Sequence, residues 1–460
     1  MRKLYYQIPM PIKRLAFSLI PYRYIAGKAY RDTLNLCKYL ENADASEVKA
    51  FQEKKLQEIL TYAVNKVPFY KPYKSKVENA VSYRDVLNHF PVISKKTVQD
   101  NFSEFISEDI NSIRYLKART GGSSGNQLMF YQDCNMYSVE MAFIHSLWAK
   151  SGYTPACRKA TFRGVTFNNL KPGVFWQYNP IHNELQFSPF HMSENNLPLY
   201  VRRLQQYKPE FIHGYPSALS ILAEYITANS LQDMLPAVKA IFCSSEACSQ
   251  YQRQKLEKTF RSRVYSWYGH SERVILAGET AESSAFYYAQ PGYGICELIN
   301  SDGDNCQTGE QGEITGTGFW NRSMPLIRYN TEDKACAIEV PSPEKSFAVH
   351  FNNVESRWKS GVTGKAGNWI SAAALNVHED VFEHVTAYQY YQAKPGILEI
   401  LVVPGKNWSD QDKLKILDLH NKKTWNQLDI TVTVTDYIPR TSGGKLLPLR
   451  LGYTPEKRYE

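Results

Sequence analysis

Along residues 46–70, SEVKAFQEKKLQEILTYAVNKVPFY interleaves apolar and charged positions at the helical period, so the stretch predicts a helix with one buried face. Ser46 with Glu47 fits its N-cap, and Pro68 closes it. Residues 1 to about 90 are expected to be helical as a whole. From residue 113 the period shortens to two. IRYLKAR and QLMFYQD predict two strands joined by a Gly/Ser-rich turn, with a helix following from Asn135 to Lys150. EFIHG, PSALSILAEYI, VKAIFCS, SQYQRQKLEKTF and RVYSWYG then alternate strand and helix at the spacing of βαβ units, which predicts a mostly parallel sheet. After about residue 285, GYGICELIN, GEITGTGFW and MPLIRYN predict a smaller, more antiparallel subdomain. The last hundred residues read as a separate α+β unit, with strands at ILEILVVPG and DITVTVTDYIP around the helix SDQDKLKILDLHNKKTW.

A hydrophobic content of 43% with 22% charged residues in 460 implies a folded chain large enough for more than one domain. The apolar stretches LAFSLI and YIAG are interrupted by Pro21 and Arg23, well short of the ~20 residues a membrane span needs. Proline and basic residues between Ile8 and Arg23 also spoil a secretory signal, so the expected location is cytoplasmic. Eight cysteines form no C-x-x-C pair, and His378 and His384 are not spaced as a zincin pair, so no transition metal is assigned. The net charge of +9 is spread along the chain without a nucleic-acid-binding module, and anionic small substrates account for it as well. Basic and aromatic residues interleave in MRKLYYQIPMPIKRLAFSLIPYRY, which raises weak membrane-surface contact as a reading; Pro9, Pro11 and Pro21 break any long helix there, and packing on the main body competes with it.

The chemistry begins in the loop Arg119-Thr120-Gly121-Gly122-Ser123-Ser124-Gly125-Asn126. Its glycines admit close backbone approach and its hydroxyls add donors, as a phosphate cradle requires, although a plain hairpin turn has the same composition. A Walker loop would place Lys and Ser/Thr after the last glycine, where Asn126 and Gln127 stand. Gly121, Ser123 and Gly125 spell G-x-S-x-G, but a nucleophile elbow leads into a helix and QLMFYQD is strand-patterned.

This loop, YGHSE, IRYNTED and PRTSGGK occur in that order and resemble the successive motifs of the adenylate-forming ligase superfamily. Within it the chain resembles phenylacetate–coenzyme A ligase and relatives linked to capsular polysaccharide biosynthesis, with VPFY, HGYPSAL and ISAAALNVHEDVF extending the likeness through most of the chain. The resemblance implies an α/β fold: a large domain over 1–355 with mostly parallel sheets and a β-rich subdomain, and a small mobile α+β domain over 356–460.

It also implies roles. Thr120, Gly121, Gly122, Ser123, Ser124 and Gly125 would hold phosphates of ATP, with Gly269, His270 and Ser271 nearby; Tyr268 would stack on adenine; Glu272 would meet magnesium. Ser245 and Glu246 resemble the adenine-side loop, although Ser244 or Ser245 could equally cap the helix that follows. Asp333 would accept the ribose hydroxyls, with Glu332 standing where the family usually has glycine. Ser356-Arg357-Trp358-Lys359 falls at the hinge between the domains, where Arg357 would touch ribose or phosphate, and Lys445 would bridge the carboxylate and the α-phosphate. His213, Gly214 and Tyr215 fall where the family builds part of its acyl site. The implied activity is adenylation of a small-molecule carboxylate with ATP and Mg2+, then transfer to an acceptor, an amine in a surface-polysaccharide pathway or coenzyme A; a binding protein on the same fold is the non-catalytic reading.

Overall fold

The computed structural model describes residues 20–453 except 121–127, 166, 168–172, 281–285, 340–348, 356–360, 376, 378–379, 383, 406, 439–446 and 448. After a single helical turn over Tyr22–Ile25 come helices α1 (Gly27–Asn42) and α2 (Ala45–Lys66). The cap of α2 is Asp44, not Ser46: the Asp44 carboxylate accepts the Glu47 N–H at 2.9 Å while Glu47 accepts the Asp44 N–H at 2.9 Å. Ser46 donates its hydroxyl to Asp44 instead. Val48, Gln52, Leu56, Ile59, Leu60, Ala63 and Val64 form the buried face, and the helix stops before Pro68 as expected.

Strands β1 (Tyr115–Arg119) and β2 (Met129–Asp133) form the expected hairpin, and α3 (Met136–Ala149) follows. Next come β3 (Lys159–Phe162), β4 (Trp176–Asn179), β5 (Glu184–Phe187), α4 (Leu197–Tyr207), β6 (Phe211–Gly214), α5 (Pro216–Ala228), β7 (Ala240–Cys243), α6 (Gln250–Phe260) and β8 (Val264–Gly269). In this half β5, β3, β6, β7 and β8 lie parallel in that spatial order, with α4, α5 and α6 as the crossovers from β5 to β6, β6 to β7 and β7 to β8, and β4 antiparallel on the outer edge. The antiparallel strands expected beyond residue 285 are β10 (Tyr287–Ala289), β11 (Gly294–Ile299), β12 (Gln311–Gly318), β13 (Tyr329–Glu339) and β14 (His350–Glu355). They continue the same sheet through β9 (Leu276–Gly278), giving twelve strands among the described residues. β8 is therefore the seam, parallel to β7 on one side and antiparallel to β9 on the other.

The C-terminal region holds the hairpin β15 (Gly361–Thr363) and β16 (Trp369–Ser371), then β17 (Val385–Lys394), β18 (Ile397–Pro404), α7 (Asp410–Thr424), β19 (Asp429–Val434) and β20 (Leu449–Leu451). The last four strands form one sheet in the order β19, β18, β17, β20. Phe382, Tyr388, Tyr390, Leu398, Ile400, Val402 and Ile416 fill its core. Next to β16, the Asn368 side chain donates to the Phe190 carbonyl at 2.5 Å. No helix among the described residues is long and apolar enough to cross a membrane.

Candidate active site

The parallel half of the sheet sets the location, since β6, β7 and β8 all end on one edge and each ends in a segment singled out from the sequence. Two groups of side chains gather there, one past β8 and one past β6 and β7.

Tyr268 lies near the end of β8, and its hydroxyl donates to the Asp333 carboxylate at 3.0 Å. It also lies 3.2 Å from Thr331 Oγ1, which donates to the Ile314 carbonyl at 2.8 Å. The phenol ring stands edge-on to Phe351. Asp333 follows Thr331 by two residues on β13, and the Tyr268 hydroxyl meets both side chains. Glu332, between them, adopts φ +62°, the left-handed conformation a glycine would take readily. An N–H donated from Glu332 to Asn330 Oδ1 at 2.7 Å holds that turn, so the segment reaches the bend without glycine.

Past Gly269 the chain turns sharply, and Glu272 points inward, only 8% exposed. The Tyr329 hydroxyl donates to its Oε1 at 2.6 Å, and His270 Nδ1 lies 3.0 Å from its Oε2. Burial by itself raises the Glu272 pKa, but the hydrogen bond and charge of His270 and the bond from Tyr329 outweigh it and bring the pKa down to about 2. The carboxylate is thus anionic at neutral pH. With Nδ1–H given to Glu272, His270 Nε2 is buried and has no partner among the described residues. Three residues outside the motif fix this turn. Gln132 donates to the Ser271 carbonyl at 2.6 Å, Arg273 donates to Gln132 Oε1 at 2.8 Å, and Arg273 pairs with Glu140 at 2.9 Å.

Among the described residues no cluster of three His, Cys, Asp or Glu offers an all-protein metal cage. Magnesium accepts one carboxylate with the remaining positions filled by phosphate oxygens and water, and the buried anionic Glu272 fits the carboxylate position.

The second group starts with His213 on β6, whose Nε2 lies 3.2 Å from Ser244 Oγ. Burial, then the nearby charges of Arg163 and Lys159, push His213 well below the ordinary imidazole range, so the ring is neutral. Gly214 lies so close to β3 that a Cβ would come within 2.9 Å of Phe162, which requires glycine there. Tyr215 opens α5. Ser245, at φ +68°, accepts a bond from Arg163 at 2.9 Å. The Glu246 carboxylate accepts the Ser217 N–H and hydroxyl at 3.1 Å each and the Ser371 hydroxyl besides, so it ties the start of α5 to β16. Burial outweighs those bonds and raises the Glu246 pKa.

Thr120 closes the hairpin base: its N–H donates to the Leu128 carbonyl and its Oγ1 accepts the Leu128 N–H, each at 2.9 Å. Gly121, Gly122, Ser123, Ser124 and Gly125 lie outside the described residues, as do Arg357, Lys445 and the basic-aromatic stretch before Ile20. Sequence reasoning did not single out Tyr329, Gln132, Glu140 or Arg163. Only Tyr329 left a signal, since it stands inside the segment IRYNTED that the sequence offered.

No family model matches the chain. It is 26% identical over 418 residues to Protein CapK of Staphylococcus aureus, covering 87% of this chain and 89% of that protein. It is 22% identical over 380 residues to phenylacetate-coenzyme A ligase of Escherichia coli (strain K12), covering 79% and 83%. Among solved structures it is similar to 2-hydroxyisobutyryl-CoA ligase in complex with 2-HIB-AMP and CoA in the thioesterification state, with a TM-score of 0.56 at 14% identity over 88% of this chain and 90% of that one. An open conformation of that ligase with the same two molecules gives 0.53 at 14% identity over 87% and 90%. The chain therefore has the fold of the acyl-CoA ligases of the adenylate-forming superfamily.

Proposed function

We propose that this protein activates a carboxylic acid with ATP and transfers the resulting acyl group to an acceptor. One acid oxygen attacks the α-phosphorus, the bond to the β-phosphate bridging oxygen breaks, and pyrophosphate leaves with an acyl-adenylate formed. The observation that carries this reading is the joining of Tyr268 to Asp333 and of Tyr329 to Glu272, which sets two carboxylates from separate motifs beside the end of β8. Asp333 takes the ribose hydroxyls. Glu272 supplies the carboxylate for magnesium, His270 meets a phosphate oxygen, and the Thr120–Gly125 loop encloses the outer phosphates. Such transfers depend chiefly on positioning and charge, which a set of pre-bonded anions and donors supplies.

In this reading residues 356–460 form the small domain, Arg357 marks its hinge, and Lys445 is carried to the α-phosphate to offset developing charge. The acceptor in this reading is an amine in a surface-polysaccharide pathway; the likeness to Protein CapK across most of both chains supports the pathway. Coenzyme A is the second reading, supported by the phenylacetate-coenzyme A ligase relative and by the CoA present in the similar structures. The reaction requires no membrane insertion, and a cytoplasmic location supplies both ATP and coenzyme A.

The test is pyrophosphate release from ATP and magnesium over a panel of aryl, fatty and amino acids, with wild type beside Lys445→Ala. Release confined to one acid class and lost in the variant is the expected result. Silence across the panel would favour a non-catalytic binding protein on this fold. With an active acid in hand, thiol consumption on adding coenzyme A separates the two acceptors.

A further inference from the structure

Arg163 is the residue immediately after β3, at the edge where the adjacent β6 and, beyond it, β7 end in Gly214 and Cys243. Its guanidinium crosses β6: Nη2 donates to Ser245 Oγ at 2.9 Å, and the group lies 5.7 Å from the centre of the Tyr215 ring. The backbone beneath it is fixed, because a Cβ on Gly164 would come within 3.2 Å of the Ala374 carbonyl and 3.3 Å of the Tyr215 hydroxyl. Other arginines around the site have counter-ions, Arg273 with Glu140 and Arg253 with Glu279. Among the described residues no carboxylate lies within ion-pair distance of Arg163. Its bond to Ser245 is exposed, so the guanidinium stands at an open edge, and one bond to a serine leaves most of its five donors for an arriving anion.

The position of the charge narrows the choice of anion. It bears on His213 and Tyr137, lowering the pKa of the first and opposing the rise of the second, whereas Glu272 responds to His270 and Tyr329. Ser245 follows β7, one strand from the β8 end where the nucleotide groups gather, while Tyr215, against the guanidinium, and His213 fall where the resemblance sets the acyl site. The charge is therefore on the acid's side of the site, within reach of a second carboxylate on a short diacid.

We propose that Arg163 reads a second carboxylate on the acid to be activated, so that dicarboxylic acids are preferred over monocarboxylic acids of the same length. The inference rests on the adenylation reading above. A guanidinium edge offers a carboxylate two parallel bonds, and loss of such a pair lowers the specificity constant by roughly 10- to 100-fold.

Two measurements test it. ATP–pyrophosphate exchange is compared for glutarate against valerate and for isophthalate against benzoate, in wild type, Arg163→Met and Arg163→Lys. Wild type favours each diacid; Arg163→Met abolishes that preference, so that each diacid falls to the rate of its monoacid; Arg163→Lys, which keeps the charge without the fork, falls between. Separately, modification of Arg163 by phenylglyoxal, followed by peptide mass spectrometry, is slowed by glutarate and not by valerate. Equal loss for both members of each pair, a wild-type preference for monoacids, or equal protection by both acids overturns the proposal and leaves adenylation standing. Selective protection by glutarate with no exchange for any acid would instead sink the adenylation reading and keep the anion site.

Discussion

The Tyr268 hydroxyl donates to the Asp333 carboxylate at 3.0 Å, across 65 residues of sequence, and so links the end of β8 to β13. The phenol therefore has a task apart from its ring face: it fixes the carboxylate proposed to receive the ribose. Tyr268→Phe keeps the face and deletes the bond. A hydrogen bond to a charged group contributes about 1.5–3 kcal/mol, so KM for ATP is expected to rise roughly tenfold with kcat within about twofold. An unchanged KM would mean that Asp333 does not depend on Tyr268, and a fall confined to kcat would place the pair in the chemical step.

Glu272 makes stability depend on pH in a defined window. Its ordinary carboxyl value of 4.5 falls to about 2 in the folded protein. A depressed folded value favours the folded state above the unfolded pKa, and that contribution is lost as pH falls from about 4.5 towards 2. At pH 7 it is on the order of 3 kcal/mol. Glu272→Gln removes the charge, so the variant is less stable than wild type at pH 7 and the gap narrows below pH 4.5. Urea midpoints at pH 7, 5, 4 and 3 measure this, and a gap that stays constant with pH would show that the stabilisation is not electrostatic.

The cap of α2 separates two residues that both have capping chemistry. Asp44→Ala removes the side chain that accepts the Glu47 N–H and is expected to cost about 1 kcal/mol. Ser46→Ala removes only a donor to Asp44 and should cost a few tenths. Thermal midpoints of the two variants decide it, and a larger loss for Ser46→Ala would reverse the assignment.

Much of the architecture was legible because period carries it. The switch from helical period to strand alternation at residue 113 and the alternating elements through RVYSWYG all correspond to observed elements. The α2 cap was misplaced although the sequence held the answer: Glu47 stands three residues after Asp44, the capping-box spacing, and only one after Ser46. The site divides similarly. Tyr268, Glu272 and Asp333 stand in recognisable motifs, but Gln132, Glu140 and Arg163 act through partners up to 141 residues away, and no local period or spacing encodes such a contact. Nor did composition reveal that β8 joins a parallel to an antiparallel half, since that depends on which edges pair.

Glu332 stands where the resemblance leads one to expect glycine, and the structure gives it glycine's backbone conformation at φ +62°. A left-handed residue with a Cβ costs roughly 1–2 kcal/mol, partly recovered here by the Glu332 N–H bond to Asn330. Replacement by alanine and by glycine both remove the Glu332 side chain, so the difference between them isolates the backbone. Glu332→Gly is expected to be more stable than Glu332→Ala by about 1 kcal/mol in urea unfolding, with KM for ATP close to that of wild type. Equal stability of the two would mean that the turn relaxes out of the left-handed region once the side chain is gone. In that case Asp333, the next residue, would lose its placement against Tyr268, and KM for ATP would rise in Glu332→Ala alone.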